Sequence, residues 1–170
     1  MLGLYENFPQ IIHRTETFNT PVSRRKLQQK IAQVFQEVNL KSYRFEEVGN
    51  PTVPNCALIF EFGIAETGDF CYLNDTEAQR LQTALNVETL HVMDWFCAIR
   101  YYKINKEKRT PLKFDYYMLR MNFGEKGAVE LQVFHERGPR YISPEDLAVF
   151  IPREINQASK RKILKRIKQN

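Results

Sequence analysis

The chain has 170 residues, of which 43% are hydrophobic and 12% aromatic, and its formal net charge is +5. This length and composition predict a single globular domain over residues 1–170 and exclude an intrinsically disordered chain. No apolar run approaches the roughly 20 residues that span a membrane, and the first residues lack the basic and apolar regions of a signal peptide. We therefore expect a soluble cytoplasmic protein that does not contact membranes.

The first third of the chain predicts strands on either side of one amphipathic helix. The β-branched run over residues 10–19 predicts a strand. Thr20 as a cap, followed by proline, predicts a helix over about residues 21–39 with apolar side chains at helical spacing. Residues 41–48 predict a second strand. The apolar run over residues 56–65 predicts a central strand that is covered on both faces.

The remaining elements predict a meander between two helices. Residues 70–73 predict a short strand, and Asn74 caps a short helix. Three long strands over about residues 91–137 each have one purely apolar face and one mixed face, as expected for antiparallel neighbours. Ser143 caps a final helix that Pro152 kinks or divides. The predicted fold class is α+β, with a mainly antiparallel sheet and helices packed on its apolar face.

The positive charge is concentrated at the end of the chain. Residues 153–170 contain seven basic residues and one acid, a sum of +6, so the rest of the chain has 18 basic and 19 acidic residues, a sum of −1. A narrow apolar stripe accompanies these cations, which predicts a basic C-terminal helix over residues 153–170 that binds an anionic partner. The candidate nucleic-acid contacts in this helix are Lys160, Arg161, Lys162, Lys165, Arg166 and Lys168.

Two further regions mix charge with other polar or aromatic residues. The first half of the first helix carries Arg24, Arg25, Lys26 and Lys30, for which a solvated helix face is the simpler explanation. The mixed face of the meander interleaves arginines with aromatic rings, and it is either a binding surface or a solvated sheet face with cross-strand ion pairs. On this face Arg100 and Arg120 are candidate ligand contacts, and Tyr102 and Tyr116 are candidate nucleic-acid contacts.

Glu61 and the cluster at the end of the third meander strand complete the candidate ligand contacts. Glu61 interrupts an apolar strand, so it needs a partner, a pocket or water. The cluster consists of His135, Glu136, Arg137 and Arg140. A histidine base beside two arginines suits a phosphate- or carboxylate-bearing ligand. The alternative is a structural cluster in which the arginines pair with nearby acids.

The sequence offers no further catalytic signal. Nucleotide-cradling, zinc-protease and esterase motifs are missing, and the three cysteines lack the spacing of a disulfide framework or a zinc site. We expect neither a cofactor nor a metal, and whether the protein is an enzyme is left open. The favoured hypothesis is a non-catalytic binding module for an anionic partner, above all nucleic acid. The alternatives are a small-ligand binder or enzyme acting on a phosphate- or carboxylate-bearing substrate, and a complex subunit that docks on an acidic protein.

Overall fold

The structure is a computed structural model that describes residues 1–168. Within this range one antiparallel sheet of eight strands has helices against one face, which confirms the predicted α+β fold class. The strands are β1 (Arg14–Asn19), β2 (Ser42–Arg44), β3 (Cys56–Glu66), β4 (Asp69–Tyr72), β5 (Val92–Asn105), β6 (Lys108–Phe123), β7 (Ala128–Arg137) and β8 (Lys165–Arg166). The helices are α1 (Arg24–Asn39), α2 (Phe45–Val48), α3 (Asp75–Val87) and α4 (Pro144–Ala158).

The predicted meander forms the centre of the sheet. The strand order is β2-β3-β5-β6-β7-β1-β8, with β4 also paired with β3, so β5, β6 and β7 are neighbours in space as they are in sequence. Alternate side chains of these strands, including Trp95 and Tyr117, are fully buried under the helices. From α1, Phe35 stacks on Phe62 at 4.1 Å between ring centroids and meets Trp95 edge-on at 4.7 Å. The other side of the sheet has no helix among the described residues, and we call it the open face.

Three predicted boundaries in the first third of the chain are wrong. The first strand begins at Arg14; just before it, the backbone amide of His13 donates to the carbonyl oxygen of Val133 at 2.9 Å, and the His13 ring stacks on Phe134. The cap of α1 is Ser23, whose hydroxyl accepts from the amide of Lys26 at 3.2 Å, whereas the Thr20 hydroxyl accepts from Val22 in a preceding turn. The predicted strand over residues 41–48 divides into β2 and α2. There the Glu47 carboxylate accepts from the amide of Arg44 and starts a helical turn.

The prediction of a basic C-terminal helix is wrong beyond Ala158. Pro152 does not divide α4, which ends at Ala158. The Asn156 side chain accepts from the amides of Ile163 and Leu164, each at 2.9 Å, and so fixes a turn where the helix was expected to continue. The chain then forms β8, which pairs with β1 at the edge of the sheet. Residues 169–170 of the predicted helix lie outside the described residues.

No helix in the described part of the chain combines the length and the apolar composition that crossing a membrane requires.

Gly138 determines how closely the loop after β7 approaches β6. Its φ is +113°, and a Cβ atom there would overlap the carbonyl oxygen of Phe114 and lie 2.5 Å from Oδ1 of Asp115. Gly68 also has a positive φ, +79°, but a Cβ atom there would meet nothing within 4 Å. Substitutions at the two glycines therefore distinguish the energetic cost of a side chain at positive φ from the cost of steric overlap with β6.

We predict that Gly138→Ala lowers the free energy of unfolding by about 2–4 kcal/mol, because it combines backbone strain with overlap. Gly68→Ala, which adds only the strain, should cost about 1 kcal/mol. Urea unfolding followed by circular dichroism measures both values. Equal losses in the two variants would mean that the loop has room to move away from β6.

Candidate nucleic-acid interface

The C-terminal basic segment, residues 159–168, is held against the sheet edge by an ion-pair cluster. Nε of Arg166 donates to Oε2 of Glu16 at 2.8 Å, and Nε of Arg14 donates to Oε1 at 2.8 Å. Burial of Glu16 works against its charge, but the hydrogen bonds from Arg166 and Arg14 outweigh burial, so the pKa of Glu16 is lowered. Arg166 therefore secures the segment, and its guanidinium is already engaged by a carboxylate.

One groove lies between α1 and the C-terminal basic segment, and we call it the α1 groove. It has a volume of about 640 Å³. Lys26 and Lys30 of α1 line it together with Lys160 and Arg161, from positions 130 or more residues later in the chain. Amide side chains fill the spaces between the cations, and no described carboxylate is among the lining residues. The amides belong to Gln29, Gln33, Gln36 and Gln82.

A second groove, the α4 groove, lies on the other side of the same segment. It has a volume of about 790 Å³, and apolar side chains such as Val149, Pro152 and Leu164 line it. Its lining residues include seven cations and, within residues 1–168, no acid. The cations are Arg153, Lys160, Arg161, Lys162, Lys165, Arg166 and Lys168.

Little of this charge is neutralised locally. Nine different cations line the two grooves, and among the described residues only Arg166 has a carboxylate within ion-pair distance. Arg153 donates to the carbonyl oxygen of Glu47 and lies over the ring of Phe150, so it keeps its net charge. Uncompensated cations around concave surfaces raise the local potential and attract anions. This surface is therefore the strongest candidate for an anionic partner.

The other two cations of α1 have structural contacts. Arg24 donates to the carbonyl oxygens of Phe123 and Gly124 at 3.3 and 3.0 Å. Arg25 donates to the carbonyl oxygen of Leu85 at 3.0 Å. These two arginines connect α1 to the loops that border it, and only the two lysines lie in the α1 groove.

On the open face, Arg120 is engaged by the N-terminal segment of residues 1–13, which we call the N-terminal strap. Arg120 donates to both oxygens of the fully buried Asp94, at 2.7 and 2.8 Å, and to the carbonyl oxygen of Tyr5 at 3.2 Å. Its guanidinium also lies 4.3 Å from the ring centroid of Phe8. The amide of Tyr5 donates to Asp94 at 2.8 Å. The strap thus covers this part of the face and occupies the donors of Arg120.

Beyond the strap, arginine and aromatic side chains of β5, β6 and β7 pair on the open face. The guanidinium of Arg100 lies 5.0 Å from the ring centroid of Phe114, and Nε of Arg100 lies 2.7 Å from Oε1 of Glu61. That N–H is not aligned with the carboxylate, so we treat Glu61 and Arg100 as an ion pair and not as a hydrogen bond. The other two pairs are Arg109 over Tyr102 at 5.9 Å and Arg137 over Tyr116 at 4.3 Å. These six arginine and aromatic residues form the arginine–aromatic surface.

The cluster at the end of β7 is divided among three environments. Nε2 of His135 lies 2.8 Å from Oδ1 of the fully buried Asp115, and the ring is almost covered. Arg140 donates to Asp115 with its backbone amide, at 2.7 Å. Arg137 belongs to the open face, and Glu136 is exposed. The structure therefore does not assemble these four side chains into one ligand pocket.

The sequence analysis missed Asp115 and Tyr101, which organise this region. Asp115 accepts four hydrogen bonds, including one from the Tyr101 hydroxyl at 2.5 Å and one from the Tyr141 amide at 2.9 Å. Burial raises the pKa of Tyr101, so the hydroxyl remains a donor. The sequence did contain a signal for Asp115. In the alternation of β6 it falls on the same side as Tyr117 and Leu119, which are core positions.

The structure also bears on metal binding and nucleophilic chemistry. Ligand atoms of Glu66, Cys71 and Glu77 lie within 4.8 Å of one another, but Arg80 donates to both carboxylates, so a guanidinium already balances their charge. Cys56 and Cys97 are buried free thiols. Burial raises the pKa of both, which disfavours the reactive thiolate.

Comparison of the chain with protein-family models, curated proteins and solved structures found no match. Any assignment of function therefore depends on the charge, the grooves and the hydrogen bonds of this protein alone.

We predict that Tyr101→Phe lowers the free energy of unfolding by about 1–3 kcal/mol, because the Tyr101 hydroxyl donates to Asp115 and accepts from the amide of Ile142 at 3.2 Å. Tyr43→Phe is the matched control. The Tyr43 hydroxyl is buried and has no hydrogen-bond partner among the described residues, so its removal should change stability by less than about 0.5 kcal/mol. Equal effects of the two substitutions in chemical unfolding would contradict the structural role of the Asp115 cluster.

A pH-dependent prediction concerns Glu16. Because its pKa is lowered in the folded state, its ion pairs stabilise the protein fully above the ordinary glutamate pKa, and this contribution is lost as the pH falls through the folded value. Glu16→Gln should therefore cost roughly 1 kcal/mol at pH 7, since both arginines are partly solvated, and less at about pH 3, below the ordinary glutamate pKa. Urea unfolding at both pH values tests this, with exposed Glu107→Gln as the control. A loss that is independent of pH would contradict it.

Proposed function

We propose that the protein is a non-catalytic module that binds nucleic acid through the basic surface around its C-terminal segment. One observation carries this proposal: cations from α1 and from the C-terminal basic segment line the same groove, with glutamine amides between them and no described carboxylate in the lining. Lysine and arginine side chains attract phosphates by their charge, which does not require one precise geometry. Amide side chains add hydrogen bonds to phosphates and sugars.

The extent of the surface favours a polymer over a small anion. The α1 groove and the α4 groove share Lys160 and Arg161, so the cations continue from one groove to the other along the segment. A small phosphate ester needs two or three converging donors in a dry pocket. Here the cations are distributed along a solvent-exposed segment, which suits the regular spacing of a phosphodiester backbone.

The enzyme alternative has weaker support. His135, the predicted general base, is almost completely shielded from solvent and its ring contacts Asp115. Its neighbours in sequence lie in other environments. The buried cysteines have raised pKa values. A hydrolytic site needs a base and a nucleophile within reach of each other around an open pocket.

The α4 groove favours a second candidate function, the docking of an acidic protein. Its lining combines apolar side chains with a rim of cations, and Val149 there is 48% exposed. An amphipathic helix with acidic flanks would match that combination. Such a partner would use the α4 groove without Lys26 and Lys30, which belong to the α1 groove alone.

We predict that the paired variants Lys26→Gln/Lys30→Gln and Lys160→Gln/Arg161→Gln each weaken binding of fluorescein-labelled RNA and DNA, and each reduce the dependence of log affinity on log salt by about 1 to 2. Fluorescence anisotropy at two salt concentrations measures both quantities for single strands and duplexes. Charge substitutions are preferable to truncation here because Ile163 and Leu164 are buried in the core.

The control is Lys41→Gln/Lys126→Gln, which removes the same charge from exposed positions outside both grooves and should change the salt dependence less. If the wild-type protein binds no nucleic acid even at low salt, the proposed function is wrong. If only the Lys160→Gln/Arg161→Gln pair matters, and an acidic peptide competes, the protein-docking alternative replaces it.

A further inference from the structure

The arginine–aromatic surface lies on the opposite side of the sheet from α1 and α4. Its residues follow from the alternation of β5 and β6, because Arg100 and Tyr102 on β5, and Phe114 and Tyr116 on β6, have the parity that avoids the core. The alternate strand positions, such as that of the fully buried Tyr101, face the core. The open face therefore carries large side chains that are not part of the core.

Two register shifts lie within this surface. One lies in the β5–β6 pairing between Arg100 and Tyr102, and the other in the β6–β7 pairing next to Tyr116. The second shift sets Arg137 opposite Tyr116, where regular pairing would have set Glu136. Bulges of this kind redirect side chains and are common beside binding sites. Here the bulge replaces an acid with a guanidinium over an aromatic ring.

The hairpin that joins β5 and β6 extends this surface with more positive charge. Residues 103–113 contain five cations and one acid, a sum of +4. Most of this hairpin is exposed, and β6 pairs with β7 only from Tyr116 onward, so the tip projects beyond the rest of the sheet. The cations are Lys103, Lys106, Lys108 and Lys113, together with Arg109, which already belongs to the surface.

The composition of the surface matches a strand of unpaired bases. Planar rings and guanidinium groups both stack on bases, and stacking tolerates any base because each has a π face. Phe114 is 40% exposed and contributes little to the core. A duplex hides its base faces within its own stack, whereas a single strand leaves them free. The only carboxylate that pairs with the described part of this surface is Glu61, through Arg100.

We infer that the arginine–aromatic surface binds single-stranded nucleic acid by stacking bases on Tyr102, Phe114 and Tyr116 and on the guanidinium groups that lie over them. The exposed cations of the β5–β6 hairpin contact the phosphates of the same strand. This inference rests on the proposed function for the class of partner, but it uses different residues on the other side of the sheet. It adds a preference for single strands that the basic grooves do not supply.

The test compares two labelled probes of about 12 nucleotides, within the range that one such surface covers: a single strand with bases and an abasic strand with the same phosphates. The wild-type protein should bind the base-bearing strand at least about fivefold more tightly, the equivalent of stacking one base. Phe114→Ala should remove most of this ratio, and Phe114→Tyr should keep it. Tyr72→Ala, which removes a ring of similar exposure (46%) on β4, should also keep it.

The outcomes separate this inference from the proposed function. A base-to-abasic ratio near one in the wild-type protein, or a ratio that Phe114→Ala leaves unchanged, overturns the inference, while the salt dependence of the groove variants still decides the proposed function. The reverse pattern, a ratio that depends on Phe114 with no effect of the groove lysines, supports the inference and rejects the groove surface. Self-association in analytical ultracentrifugation that Phe114→Ala abolishes would assign this face to a second copy of the chain and also overturn the inference.

Discussion

The position of α4, and with it the basic surface, depends on the buried carboxylate of Asp115. A carboxylate in the core is costly unless its oxygens are hydrogen-bonded. Asp115 meets this requirement with donors from β5, β7 and the loop that leads to α4. The Tyr117 hydroxyl donates to the carbonyl oxygen of Ile142 in the same loop. The start of α4 is thereby tied to three strands of the meander, and the far end of α4 carries the C-terminal basic segment.

The sequence was sufficient for the strands of the meander but not for the chain after α4. Alternation with a period of two is a local property, so it identified β5, β6 and β7 and the parity of their faces. The segment after Ala158 is decided by distant contacts: Asn156 accepts from Ile163 and Leu164, and β8 pairs with β1. The buried positions Ile155, Ile163 and Leu164 fit an amphipathic helix as well as a turn and a strand, so the apolar pattern could not distinguish the two.

The candidate site shows the same limit. The four polar residues at and just after the end of β7 are close in sequence, but alternation and a register shift send His135 toward the core and Arg137 to the open face. Conversely, Lys30 and Lys160 lie far apart in sequence and line one groove, which no local pattern could indicate. Sequence neighbours on a strand are a poor guide to a site, and cations brought together by the fold are found only when the helices have been placed on the sheet.

The cations of the C-terminal basic segment belong to an ordered part of the fold, and this changes what their charge can do. Ile163 and Leu164 are buried between them, and Arg166 is paired with Glu16 in β1. A flexible basic tail would lose conformational entropy on binding, whereas this segment has already lost it on folding. The ordered backbone also sets the spacing of Lys160 and Arg161 from Lys26 and Lys30 across the α1 groove. Under the proposed function, an anionic partner that matches those spacings would gain more affinity than its net charge alone would give, so geometry as well as electrostatic attraction would contribute to selectivity.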